Sequence, residues 1–323
     1  MKSLEGLSIE EVDRNLWRKI LNESEYATVF HSPEWIEIQK DVFKFKEIII
    51  SSNKCIFPVF FRRKGPFKIY GSPLPETGSF YGGPICADAS NYAQILKNIR
   101  ISGIFTSLFI KTPCGFNPNI YGENITIEPV RNYILHIKGS EEDIWRNLNK
   151  KTRNAVRKAE KSGVEVRICG AEELHTYYSM VEEVVKRRTH TPIPQELMKK
   201  VLNSGIGRLF MAYYRGKPAS GGIFLTFKDT VTYWSGASFS KFRKYQPSNL
   251  LHWEVIRWAR DKGYRYYDLG GAEIPSIAKF KRGWGGDEVY YYRVFKEGSI
   301  AKTARVVYSR LRKYRAVSRL YRR

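Results

Sequence analysis

The sequence predicts a mixed α/β (α+β) chain of two domains, each with a largely antiparallel sheet flanked by helices. Three observations carry this. The chain has 323 residues, roughly twice the ~150 of an ordinary domain. Hydrophobic residues make up 42% and aromatic ones 14%, which supplies packed cores and excludes disordered or collagen-like classes. Short β-rich runs alternate with amphipathic helical faces in the order helix, three-strand meander, helix, strand, strand; the first half repeats that order more roughly.

Residues 1–40 read as helical around an aromatic-rich loop, Tyr26 to Trp35. Ile48–Ile50 and Cys55–Phe61 read as strands joined by the turn Ser51-Ser52-Asn53-Lys54. The Gly/Pro-rich stretch from Pro66 to Pro84, with Tyr70, Phe80 and Tyr81, reads as a long surface loop of the kind that carries binding residues. Tyr92–Arg100 follows as a helix, then Gly103–Lys111 and Tyr133–Ile137 as strands. Ser140 starts a helix, with Asp143 as its capping partner and Glu141 and Glu142 at the positive helix end. Its apolar face, Trp145, Leu148, Thr152, Ala155, Val156 and Ala159, runs on to a stop at Gly163. Further helices are expected over Glu172–Lys186 and Pro194–Asn203. The meander is expected over Arg208–Tyr214, Ala219–Phe227 and Thr230–Ser235. A helix over Asn249–Lys262 and strands over Tyr264–Leu269 and Val289–Phe295 complete the set. The expected domains are 1–138, 139–298 and a basic helix, 299–323, that packs back on the first domain.

The formal charge is +23, which favours polyanionic partners: nucleic acid, phosphorylated ligands or an acidic membrane face. Between Ser299 and Arg323 there are nine basic residues and no acidic one, so the body carries the larger part of the excess. Apolar residues recur in this tail at mixed helical spacing. A contact with an anionic membrane, a tRNA contact and a helix packed on the first domain all fit it. The four cysteines form no C-x-x-C pair and the five histidines no H-x-x-x-H pair, so neither a disulfide framework nor a metal site is expected, and reduced thiols are. No apolar run approaches a membrane span, and the N-terminus has no apolar leader core. A cytoplasmic protein is expected, with peripheral attachment to the membrane face as one possibility.

Four constellations are candidates for chemistry. The stretch Arg146–Lys161 places Lys151, Arg153 and Arg157 on a basic helix face. It suits phosphate or RNA contact and equally serves as a solvated surface. Arg187 and Arg188 end a helix, where the dipole favours them and where their forked donors would also clamp a phosphate. Tyr245-Gln246-Pro247-Ser248-Asn249 opens a helix, read as a capped start, without the glycines of a pyrophosphate loop. Asp268-Leu269-Gly270-Gly271 and Lys279–Gly286 place Lys281 among aromatics and glycines. An ammonium there would face an oxyanion or a phosphate, or simply belong to a surface hairpin. Asp268 would orient a reacting group or cap its loop.

The element order is similar to that of GNAT-type acyltransferases, and five ordered fragments make the resemblance more specific. They are L-N-K-K-T-R-N-A-V-R-K-A-E-K-S-G-V at Leu148–Val164, Y-W-S-G-A-S at Tyr233–Ser238, P-S-N-L-L-H-W-E-V-I-R-W-A at Pro247–Ala259, Y-Y-D-L-G-G at Tyr266–Gly271 and F-K-R-G-W-G-G at Phe280–Gly286. F-Y-G-G-P at Phe80–Pro84 extends them into the first half. The chain resembles the Fem family, peptidyltransferases that build peptidoglycan cross-bridges. The resemblance implies two tandem GNAT-like domains with a cleft between them. It also implies transfer of an aminoacyl group, usually from aminoacyl-tRNA, to an amine of a cell-wall or lipid-linked precursor, with no further cofactor. By motif match it assigns Lys281 and Phe280 to the active site; Asp268, apart from that match, is a candidate base. The resemblance places Arg188 at a substrate phosphate, and Tyr233 and Trp234 along the substrate channel; Arg187, Tyr81 and Trp284 are further substrate-binding candidates. The long charged insertion found in some members has no counterpart here. Two other readings stay open: an acyl-CoA-dependent N-acyltransferase acting on a sugar amine of a surface polysaccharide, and a non-enzymatic RNA-binding protein.

Overall fold

The computed structural model describes residues 4–5, 13–52, 54–122, 124–188 and 192–320, with side chains over 13–51, 54–122, 124–187 and 192–311. The chain forms two compact units, Met1–Pro129 with Tyr291–Arg323, and Val130–Tyr290. In chain order the first unit holds β1 (Leu4–Glu5), α1 (Arg14–Glu23), α2 (Pro33–Phe43), β2 (Lys46–Ser52), β3 (Cys55–Lys64), β4 (Phe67–Ser72), β5 (Ile85–Cys86), α3 (Ser90–Asn98), β6 (Arg100–Ile101) and β7 (Thr106–Lys111). β8 (Ile125–His136) carries the chain into the second unit. There follow α4 (Glu141–Asn147), α5 (Lys150–Lys161), β9 (Val164–Cys169), α6 (Leu174–Arg188), α7 (Gln195–Asn203), β10 (Gly207–Tyr214), β11 (Lys217–Phe227), β12 (Thr230–Ser238), α8 (Pro247–Asp261), β13 (Tyr266–Asp268) and α9 (Pro275–Arg282). β14 (Asp287–Glu297) returns the chain to the first unit, which ends on α10 (Ser299–Leu320). The divisions fall inside strands, where the sequence reading set them at loops near 138 and 298.

The first unit has the strand order β2-β3-β4-β7-β14, with β5 beside β3. All neighbours are antiparallel except β4 and β7. Alternation along β3, β4 and β7 sends Phe57, Val59, Tyr70, Leu108 and Ile110 into a core closed by Tyr92, Ile95 and Leu96 of α3. α2 is well specified: the Ser32 side chain accepts from Trp35 N, Pro33 takes the first helical position and Lys44 stops it in the left-handed region.

Two expectations for this unit are corrected. Cys55 and Cys86 are direct partners across β3 and β5 and form a disulfide, where reduced thiols were expected. Their separation of 31 residues hides a pairing that only the sheet register creates. Pro66 to Pro84 is not a surface loop: it begins with β4 and continues through buried Leu74, Tyr81 and Gly82. The glycines here serve packing. A Cβ on Gly82 would lie 2.5 Å from the Ser72 backbone, and one on Gly83, at φ +88°, would lie 2.2 Å from Tyr92 Oη.

The second unit has the strand order β9-β10-β11-β12-β13-β8. It is antiparallel apart from the β12–β13 pair, so each unit carries the mixed, largely antiparallel sheet that was expected. α5 and α8 pack together over one sheet face. Val156, Phe210, Phe224, Val231, Ile256 and Tyr267 form the core there. The helix expected from Ser140 to Gly163 is two helices. Leu148 is extended, and Asn149 recaps the chain by accepting from Thr152 N at 2.7 Å. The Lys279–Gly286 stretch is not a hairpin loop: its first half, Lys279–Arg282, belongs to α9, which sequence reading missed.

Candidate active site

The site grows from the β12–β13 pair. These strands bond in parallel at Thr230↔Tyr266, Val231↔Tyr267 and Thr232↔Asp268. β13 ends there, while β12 continues to Ser238. The buried Asp268 carboxylate then organises the turn. Its Oδ1 accepts from Asn132 Nδ2 on β8 at 2.7 Å and from Gly270 N at 2.8 Å. Gly270 sits at φ 72°, which favours glycine. α9 brings Lys281 back against this turn, and its Nζ donates to Gly270 O and Gly271 O, each at 2.9 Å. Two of three ammonium donors are therefore engaged.

Lys281 is buried, not a surface lysine of a hairpin. Burial pushes its pKa from 10.5 down to about 8, and the Asp268 carboxylate opposes that shift. The Tyr233 ring lies 5.9 Å from Nζ. Around it His252, at the centre of α8's inner face, meets Tyr233 at 4.5 Å, Phe280 at 5.4 Å and Trp284 at 5.3 Å between ring centroids. His252 Nδ1 shares a 2.6 Å hydrogen bond with Tyr267 Oη. Burial and, second, the Lys281 charge lower the His252 pKa to about 3, so the imidazole is neutral at physiological pH. A lysine lowered to about 8 by burial, in a low-dielectric aromatic surround, can donate to a developing oxyanion.

Of the residues singled out from sequence, Lys281, Phe280, Asp268, Tyr233 and Trp284 come together here. Trp234 is buried on the same strand as Tyr233. Tyr81 lies in the first unit, where its hydroxyl accepts from Cys114 Sγ at 3.1 Å. Arg187 is tied to its own helix and to β12: it pairs with Glu183 and donates to Ser238 O. The Arg188 side chain lies outside the described residues. Arg153 and Arg157 do not act as a matched pair. Arg153 donates to the Arg146 and Leu148 carbonyls that end α4, and Arg157 sits 5.3 Å from the Trp145 ring. Lys151 is exposed, as are Lys150, Lys158 and Lys161. The F-K-R-G-W-G-G glycines are packing positions: a Cβ on Gly285 would meet Asn147 O at 2.1 Å, and one on Gly286 would meet Ile134 O at 2.7 Å.

Sequence reasoning missed His252, Tyr267 and Asn132. The first two lie inside quoted fragments, the only signal by which the sequence could have named them. Asn132 carried no signal, being 136 residues from its partner. The α8 start lacks the side-chain cap expected of it: Gln246 is left-handed and makes no such bond. Pro247 has no amide hydrogen, and Asn249 N and Leu250 N both donate to Gln246 O. Among the described residues no three His, Cys, Asp or Glu side chains gather as metal ligands.

A family model described as an acetyltransferase (GNAT) domain matches residues 146–290. The UDP-N-acetylmuramoylpentapeptide-lysine N(6)-alanyltransferase of Weissella viridescens is 29% identical over 164 residues, covering 48% of this chain and 48% of that protein. Aminoacyltransferase FemA of Staphylococcus aureus is 30% identical over 104 residues, covering 30% of this chain and 24% of FemA. The chain thus spans about half or less of the curated relatives it matches. Among solved structures, FemX superposes with a TM-score of 0.63 at 12% identity, over 88% of this chain and 97% of FemX. L-PGS from Bacillus licheniformis gives 0.56 at 10% identity, over 94% and 98%. These two share the fold. The resemblance to the Fem family read from the five fragments therefore holds.

Proposed function

With a GNAT domain at residues 146–290 and Fem proteins as relatives, we propose that the chain is a Fem-like aminoacyltransferase. It joins an activated aminoacyl group to an amine of a cell-wall or lipid-linked precursor. The observation that carries this reading is Lys281: a buried ammonium, fixed by two carbonyls of a turn that Asp268 holds, inside the stretch that the family model matches. The neutral acceptor amine attacks the ester carbonyl. A C–N bond forms, the C–O bond of the ester breaks, and one proton passes from the amine nitrogen to the leaving hydroxyl oxygen. Lys281 stabilises the oxyanion between these events through its third N–H. The Gly270–Gly271 turn positions that ammonium, and the aromatic surround excludes water.

The donor is proposed to be aminoacyl-tRNA. Exposed Lys150, Lys151, Arg157, Lys158 and Lys161 on α5 suit RNA phosphates, and the net charge suits the same partner. The acyl-CoA reading is the less favoured, because the α8 start offers few amides to a pyrophosphate. The first unit is read as a second GNAT-like lobe, and the reaction as one at the cytoplasmic face of the membrane. The test supplies purified protein with radiolabelled aminoacyl-tRNA or radiolabelled acyl-CoA, together with nucleotide-linked and lipid-linked peptidoglycan precursors. Label should reach the precursor amine from tRNA only. Transfer from acyl-CoA with tRNA inert would replace this reading with the N-acyltransferase.

A further inference from the structure

The outer face of α10 plays no part in the transfer chemistry. Ile300, Ala304, Val307 and Leu311 recur on one helical stripe, and with Thr303 and Tyr308 they line a shallow, open groove. Ile300, Val307, Tyr308 and Leu311 are all exposed, and so is Ile104, whose carbonyl accepts from Ala301 N at the start of the helix. The inner face is fixed. Ala301 is buried. Arg305 Nε donates to both Glu297 carboxylate oxygens at 2.9 Å, its Nη1 lies 3.6 Å from Glu128, and its guanidinium lies 4.0 Å from the Phe295 ring. The apolar stripe is therefore held outward.

Whatever covers it must accept apolar side chains and cations together, because residues 299–323 include nine basic residues and no acidic one. A second copy would bring the same cations against these, which Coulomb repulsion opposes. RNA would answer the charge but leave four large apolar side chains in water. An anionic bilayer surface satisfies both. No helix among the described residues is long and apolar enough to cross a membrane. We propose that α10 lies in the interface of an anionic membrane, with Ile300, Val307, Tyr308 and Leu311 in the acyl boundary and exposed Arg310, which flanks the stripe, at the phosphates. This surface is independent of the transfer reading, since binding needs neither donor nor acceptor.

The test is flotation of the full chain with vesicles of phosphatidylcholine alone or mixed with phosphatidylglycerol. Wild type should float with the mixed vesicles and not with the neutral ones. The double variant Val307→Gln, Leu311→Gln changes exposed side chains only and should keep the wild-type thermal midpoint, yet lose roughly tenfold or more in partitioning. The Tyr308→Trp variant should show a blue-shifted emission on adding mixed vesicles. Equal partitioning of the double variant and wild type, or an emission from the Tyr308→Trp variant that does not shift beyond that of wild type, would overturn insertion. So would absence of vesicle binding accompanied by a dimer, or by tRNA binding, that the double variant loses; this outcome would give the face to a second copy or to RNA.

Discussion

An ammonium with a pKa of about 8 is mostly charged at neutral pH and loses its proton in mild base. Lys281 reaches this value because burial lowers it and the Asp268 carboxylate partly restores it. Replacing Asp268 by Asn keeps an acceptor oxygen for the turn but removes the charge, so the Lys281 pKa must fall further. Transfer should decline above pH 8 in the wild type, and in Asp268→Asn the decline should begin at lower pH. A pH–rate profile with an unmoved basic limb would break the link between the two residues. His252 belongs to the same environment. Its neutral ring lets it stand beside Lys281 without adding a second charge to a buried site.

Helix starts in the second unit carry their own specification. Ser140 accepts from Asp143 N at 3.1 Å, and Asn149 accepts from Thr152 N at 2.7 Å. Asn149→Ala should cost about 1 kcal/mol in urea unfolding, with little effect elsewhere; an unchanged midpoint would remove the cap as the reason α5 begins there. Gly285→Ala should cost more, about 2 kcal/mol or above, because its Cβ would sit 2.1 Å from Asn147 O at a φ of +75°. The contrast shows what was legible in the sequence. Ser140 and the apolar face after it announce a helix, and the Ala219–Phe227 and Thr230–Ser235 runs announce strands, because local spacing encodes both. The break at Leu148–Asn149 was not legible, since the apolar face continues across it and only the cap ends one helix and opens the next. Asp268 and Lys281 could be named from their fragments. The bond from Asn132 and the Cys55–Cys86 pairing could not, because each depends on the sheet register and not on spacing.

At the scale of the molecule, each unit hides a neutral histidine. Burial lowers His31 to about 4 in the first unit and His252 to about 3 in the second. Both folded values lie below the ordinary 6.5, so the unfolded chain takes up protons first as pH falls. Stability is whole above about 6.5 and lost progressively toward the folded values, with roughly 3 kcal/mol at stake for His31 and roughly 5 kcal/mol for His252 at the acid end. Thermal midpoints should therefore drop between about pH 6.5 and about 5, before ordinary carboxylates protonate; a flat midpoint over that window would contradict the burial of both rings. The excess of positive charge acts at the same scale: in the proposed function it draws polyanions to α5 and to the tail, while one lysine carries the chemistry. That division is tested most directly by Lys281→Met, assayed with charged tRNA and a peptidoglycan-precursor acceptor beside a thermal midpoint and a tRNA-binding isotherm. The expected result is about a hundredfold or greater loss of transfer, with the chain still folded and tRNA still bound. Turnover equal to wild type in a folded variant would contradict the account at its centre.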